Sequence, residues 1–393
     1  MEQKTILSNV SWRFIKGFLQ FFSMILIVRN MNIADYGWYV SAISAFEVVV
    51  IFCLPGTIRI ALRSALSNDG RFSNLLGLRL ILLPFLVLGF ILVPSFLALL
   101  FLISTLADQI SMFARVKLNE KKLYLVFNIF ENLKPLLLVI FVGIYIVIFD
   151  KPISLEYIAL VYCFVSVFIM LLNIIYAKNF ASLSMKASWP EKQEFLESFY
   201  ASGNGLIGIF IRRGAVLVAA LSFSSTDAAY VNIALQFLTI FTMIYSGISL
   251  SMTRDIYDRS MSFKQIKFTY KYPLTLLCLG VISSSFILYY FSDLILIIIF
   301  GNEAIGASEI IYLTPIILLF QLPQLVIMGI LMRYKKERMI LFLNLLSILI
   351  FLPILTFIPY ELLSLIIILL CFVIFTSIAY SLTFFMSKDL KNA

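Results

Sequence analysis

Residues 199–250 read FYASGNGLIGIFIRRGAVLVAALSFSSTDAAYVNIALQFLTIFTMIYSGISL. Two apolar runs, 199–221 and 228–250, flank the polar break Ser224-Ser225-Thr226-Asp227. Each is long enough to cross a bilayer as a helix, which takes about 20 residues. Arg212 and Arg213 stand side by side in the middle of the first run. The stretch therefore reads as two membrane spans joined by a tight turn, with two charges at mid-depth.

The rest of the chain repeats this pattern. Of its 393 residues, 62% are hydrophobic and 13% charged, against about 25% charged in soluble domains. That excludes a soluble enzyme, a disordered chain and a fibrous one. Twelve spans are expected: 11–29, 37–58, 74–92, 95–114, 123–149, 155–177, 199–221, 228–250, 270–291, 306–332, 339–358 and 361–386. With no histidine in the sequence, imidazole bases and ligands are ruled out. Cys53, Cys163, Cys278 and Cys371 are scattered in apolar runs without metal-ligand spacing. No phosphate-binding loop motif occurs. No catalytic residue, metal or cofactor is expected.

Orientation follows from lysine and arginine, which favour cytoplasmic connections. Of the 30 basic residues, 22 fall on one set of connections, while only Arg29 and Lys151 fall on the other. Both termini are expected in the cytoplasm, and the formal charge of +9 is a matter of topology, with no nucleic-acid partner required. The longest inner connection, 178–198, carries Trp189-Pro190 followed by Glu191, Glu194 and Glu197 at helical spacing. Either an amphipathic surface helix or a plain linker fits it.

Shifting the sequence by 191 residues aligns Ser11 with Ser202, Gly17 with Gly208, Tyr39-Val40 with Tyr230-Val231, Phe46 with Phe237, Gly56 with Gly247 and Arg63 with Arg254. An even number of spans per half gives both halves the same orientation, the parallel-repeat plan of transporters. The expected organisation is an all-α membrane protein of two six-helix lobes, 1–177 and 199–393, joined by 178–198. A polar cleft is expected between the lobes.

Glu47, Asp108, Glu131, Lys134, Arg212 and Arg213 lie near the middle of spans. Each costs about 2.5–3.5 kcal/mol against lipid on the insertion scale. They must face water or one another. Arg13, Lys16 and Gln20 form a polar stripe on the first helix, Asn204 lies on the face of Arg212, and Asn232 and Gln236 form a stripe on the eighth. Arg13, Lys16, Lys134, Arg212 and Arg213 are candidates for an anion-binding lumen; Glu47, Asp108 and Glu131 are candidates for ion coupling or structural pairing. Glu131 and Lys134 have the spacing of an intrahelical pair.

Several short motifs suggest a family. Val28-Arg29-Asn30-Met31, Ala34-Asp35-Tyr36-Gly37-Trp38-Tyr39 and Leu54-Pro55-Gly56 open the chain, and Thr226-Asp227-Ala228-Ala229-Tyr230 echoes them in the second half. Ile299-Phe300-Gly301-Asn302, Ala307-Ser308 and the basic run Arg333-Tyr334-Lys335-Lys336-Glu337-Arg338 follow later. Together with the span count these resemble the O-antigen (Wzx-type) flippases of the multidrug/oligosaccharidyl-lipid/polysaccharide exporter superfamily. The resemblance implies translocation of an undecaprenyl-pyrophosphate-linked oligosaccharide across the bacterial inner membrane, between two lobes with a cationic lumen. It also implies contact with other polysaccharide-assembly proteins for lipopolysaccharide biosynthesis. A cation-coupled drug or metabolite exporter of the same superfamily is the alternative, and a membrane-embedded polymerase or glycosyltransferase a second.

Overall fold

The computed structural model describes residues 2–53, 56–58, 60–61, 71–93, 95–120, 123–181, 187–257, 263–333, 336–357 and 361–386. Within them the chain is helical throughout. The helices are α1 (Glu2–Asn30), α2 (Ile33–Cys53), α3 (Phe72–Leu82), α4 (Ala98–Glu120), α5 (Tyr124–Phe149) and α6 (Leu155–Ala181). They continue as α7 (Lys192–Ile209), α8 (Ser225–Tyr257), α9 (Phe263–Phe300), α10 (Thr314–Arg333), α11 (Glu337–Phe357) and α12 (Leu362–Met386). α3 runs on through a 3-10 segment, Leu83–Leu88, into Gly89–Leu92, and Pro84 at its start accounts for the change of winding. α7 runs on through a π turn, Phe210–Gly214, into Ala215–Ser222.

Nine helices of the described residues are long and apolar enough to span a membrane. A pair bent by 43°, Asn302–Ile311 with Thr314–Met328, makes up to ten. The two remaining expected spans, 37–58 and 228–250, fall on α2 and α8, which have 21 and 33 residues. This is a multi-pass α-helical membrane protein.

Contacts divide the chain into two units, Phe18–Leu217 and Met1–Gly17 with Val218–Ala393. α7 and the π turn that follows it belong to the first unit. In the first unit the most extensive pairing joins α4 to α6. Asn173 Nδ2 of α6 donates to Ser111 Oγ of α4 at 3.0 Å inside that contact, which satisfies polar groups that would be costly in hydrocarbon. Phe72, Leu75, Phe113, Leu118 and Phe130 build an apolar core beside it. In the second unit α10 pairs most extensively with α12. There Tyr380 donates to Asn344 Oδ1 at 2.7 Å, and Thr314 Oγ1 donates to the Ala234 carbonyl at 2.8 Å.

The connection expected over 178–198 divides in two. Residues 182–186 lie outside the described residues; from 187 the chain is extended and then enters α7 directly, so the acidic heptad belongs to the start of α7. Glu191 caps that helix and Glu194 returns the bond, accepting from the Glu191 N–H at 2.6 Å. This reciprocal box explains why the helix starts immediately after Pro190. The segment is strapped to α3. Ser188 N donates to the Ser73 carbonyl at 3.1 Å, and its hydroxyl bonds the Asn74 side chain. Asn74 Nδ2 donates to Glu194 Oε1 at 2.8 Å, and Arg71 Nη1 reaches Glu197 Oε2 at 3.0 Å.

Two glycines make that approach feasible. A Cβ on Gly77 would stand 1.9 Å from the Ser188 carbonyl oxygen. Gly56 has φ +54° and a Cβ there would meet the Ser198 carbonyl oxygen at 2.2 Å, so both its conformation and its space exclude a side chain. Gly77→Ala is expected to lower stability by about 1–3 kcal/mol, the usual range for overpacking. Heating the detergent-solubilised protein and following its loss from the monodisperse chromatographic peak measures this. A melting temperature equal to wild type would refute the close approach.

Candidate functional site

The first unit gathers most of the mid-span charges. α2 presents Ser41, Ser44 and Glu47 at intervals of three along one stripe, with both serines buried. The stripe ends on the π turn of α7. Arg213 closes a forked pair with Glu47, Nε to Oε2 at 2.6 Å and Nη2 to Oε1 at 3.0 Å. Such a bidentate fork matches guanidinium to carboxylate geometry. A π turn carries one residue more per turn than the helix around it and recurs at functional sites; here it sets which of two adjacent arginines meets the acid. Arg212 is exposed, and its Nε donates to the Gly208 carbonyl at 3.2 Å.

A second pair lies in the same unit. Lys134 Nζ of α5 bonds Asp108 Oδ2 of α4 at 2.5 Å. The same ammonium sits 3.8 Å from the centroid of the Tyr162 ring of α6, a cation–π contact. Tyr162 therefore lies against the Lys134–Asp108 pair. Tyr39 completes a wall of rings, 6.1 Å from Tyr162 and 5.7 Å from Phe101. Tyr36, one turn earlier on α2, is almost wholly buried and interacts with Arg213. The side chains of the Glu47–Arg213 pair are 42% and 27% exposed. They are therefore reachable without being bathed in water.

Helical spacing alone suggests Glu131 for Lys134, and the structure corrects that. Lys134 leans across to Asp108 of α4 and meets the Tyr162 ring of α6. Arg79 is 2% exposed. It bonds Thr57 Oγ1 and Gln109 Oε1, both neutral, and lies 5.6 Å over the Phe113 ring. No carboxylate engages it among the described residues. On α1, Arg13 and Gln20 are exposed and Lys16 is half-buried. On α8, Asn232 is buried and Gln236 half-buried. The side chain of Asn204 lies outside the described residues. Sequence reasoning passed over Tyr36, Tyr39, Tyr162, Thr57 and Gln109, because in a chain with 15% aromatic residues no ring stands out by type.

Fold and site together define a two-unit helical membrane protein with ion pairs embedded in its first unit. No family model matches the sequence, and no curated protein matches it. Solved structures do. A variant of the Vibrio cholerae MATE transporter VcmN has a TM-score of 0.61 and 15% identity, covering 99% of this chain and 97% of that one. A multidrug resistance MATE family transporter of the MOP superfamily matches in its inward-facing conformation at TM-score 0.60 and 14% identity, with 96% of each chain covered. Its outward-facing conformation matches at TM-score 0.56 and 14% identity, over 99% and 97%. The chain has the MATE fold from end to end.

These matches overturn the resemblance to O-antigen flippases. They also remove support from the undecaprenyl-pyrophosphate-linked oligosaccharide, the polysaccharide-assembly partners and a role in lipopolysaccharide biosynthesis. The motifs behind that reading are two to six residues long and sit at span ends. A basic loop or an Asp-Tyr-Gly helix start answers to topology and carries little information about cargo.

Glu47→Gln and Arg213→Gln are each expected to cost about 1–3 kcal/mol, between the values for exposed and buried pairs. The double variant should cost less than the sum by about 1 kcal/mol, the signature of direct coupling. Thermal inactivation of all four proteins closes the cycle, and additive losses would disprove the pair.

Proposed function

We propose that this protein is a secondary transporter that exports small organic molecules, driven by a cation gradient. The end-to-end likeness in fold to proteins described as multidrug transporters carries the proposal. One of those proteins is described in both inward-facing and outward-facing conformations, which suits an alternating-access cycle. The ion pairs support the reading on physical grounds. Charges at mid-span are expensive and characteristically mark ion or substrate pathways.

In this reading Glu47 and Asp108 are the coupling groups. Each carboxylate faces a cation, Arg213 or Lys134. A proton or Na⁺ arriving at the acid competes with that partner, loosening the pair and shifting the balance between conformations by the difference in binding. Arg212, adjacent to the pair and bonded among the described residues to the Gly208 carbonyl, is the proposed contact for a polar group of the substrate. Arg13, Lys16 and Gln20 on α1, with Asn204, Asn232 and Gln236, are proposed as polar lining along the route.

The experiment is reconstitution into sealed vesicles, with an imposed pH or Na⁺ gradient and a panel of fluorescent cationic and anionic dyes. Gradient-dependent movement of at least one dye is expected. Glu47→Gln and Asp108→Asn should each lower the gradient-driven rate about tenfold, equivalent to about 1.4 kcal/mol. Arg212→Gln should alter the dye preference and leave the gradient dependence intact. Wild-type vesicles that move no dye faster than empty vesicles would defeat the proposal.

A further inference from the structure

The strap at the start of α7 separates its chemistry by face. Glu194, Ser198, Ala201 and Ser202 follow one another at helical spacing and are buried, from 0% to 6% exposed. Its carboxylates are already engaged within the protein: Glu194 by Asn74 and the Glu191 N–H, and Glu197 by Arg71 and Gln193. Glu191, though exposed, caps the helix. Phe195, Phe199 and Leu196 of the helix are 43%, 38% and 37% exposed, and Trp189, just before it, is 82% exposed. Lys192 on the strap and Lys178 at the end of α6 are exposed as well. The segment thus turns large apolar side chains and a lysine outward beside its capping Glu191, while Glu194 is turned inward.

Its height relative to the bilayer is bounded by its neighbours. The preceding span ends at Phe180 and the next begins at Gly205. Phe199 is six residues before that start, about 9 Å along a helix. Ser188 packs against Ser73 and Gly77, in the first two turns of the span Phe72–Leu92, so Trp189 lies level with the end of a neighbouring span, where hydrocarbon gives way to headgroups. Tryptophan and tyrosine favour that boundary, and lysine there can meet lipid phosphate. A face of four large apolar side chains left in water would be an association hazard.

We propose that the strap is embedded in the headgroup–hydrocarbon boundary of the bilayer, with Trp189, Phe195, Leu196 and Phe199 in lipid and Lys192 and Lys178 toward lipid phosphates. The partner is the phospholipid interface itself. The inter-half connection then fixes the first unit at the membrane surface through its contact with α3. This inference stands apart from the transport reading and survives its failure.

Trp189 reports on the proposal directly. The full chain and its Trp189→Phe variant are placed in phosphatidylcholine vesicles containing some anionic phospholipid. The difference between their emission spectra isolates Trp189 from Trp12 and Trp38. Brominated phosphatidylcholine with bromines near the headgroup should quench that difference roughly twofold more than bromines deep in the chains, as expected of an interfacial indole. Aqueous acrylamide should quench it little. Strong acrylamide quenching with no bromolipid effect would place Trp189 in water and overturn the proposal. Quenching by neither would mean that protein, such as a second copy of the chain, covers the face, which overturns it equally.

Discussion

A charge inside a membrane span must find a partner within the protein, because lipid offers none. Much of the first unit is organised around that requirement. Glu47 reaches Arg213 from α2 to α7, Asp108 reaches Lys134 from α4 to α5, and Tyr162 of α6 lies against the second pair. Five helices are thus tied by a few polar contacts, each strengthened by the low dielectric around it. Arg79 obeys the same rule differently. Its guanidinium rests on two neutral oxygens and a ring face, with Nε left unpaired. That arrangement ties α3 to α4 through Gln109 and to the segment after α2 through Thr57.

Packing supplies the complementary constraint. Helices in lipid gain little from the hydrophobic effect between them and depend on close van der Waals contact and polar bonds. The strap shows both: glycines at 56 and 77 admit a backbone at contact distance, and three side-chain bonds then hold it. Polar bonds recur in the second unit, where Thr314, Tyr380 and Asn344 join its helices. Polar side chains in this protein therefore serve cohesion as much as any passage of solute.

Span positions were legible in the sequence because they depend on length and hydropathy alone. The expected 74–92 and 95–114 correspond to Phe72–Leu92 and Ala98–Leu118, the split falling beside Pro94. Mid-span charges were legible for the same reason: an ion among apolar residues is conspicuous. Their pairing was not. Helical spacing favours Glu131 for Lys134, whereas the contact that forms depends on the crossing of α4 and α5, which no local pattern encodes. The capping box at Glu191 is a local signal and could have been read; the spacing was left between a surface helix and a plain linker. Cargo was the least legible. Short motifs at span ends reflect topology, so they pointed to a polysaccharide flippase, while the fold matches multidrug transporters.

The π turn at Phe210–Gly214 has a consequence for how this helix tolerates change. An extra residue in one turn offsets the register of all that follows it. Removing one residue there would restore ordinary winding and swing everything after it by about 100° about the axis. Ala215–Ser222 would then present different faces to their neighbours, and the second arginine would lose its acid while every amino acid type needed for the pair remained in the chain. Helical registers that differ by one position in this turn would thus build different sites from the same residues.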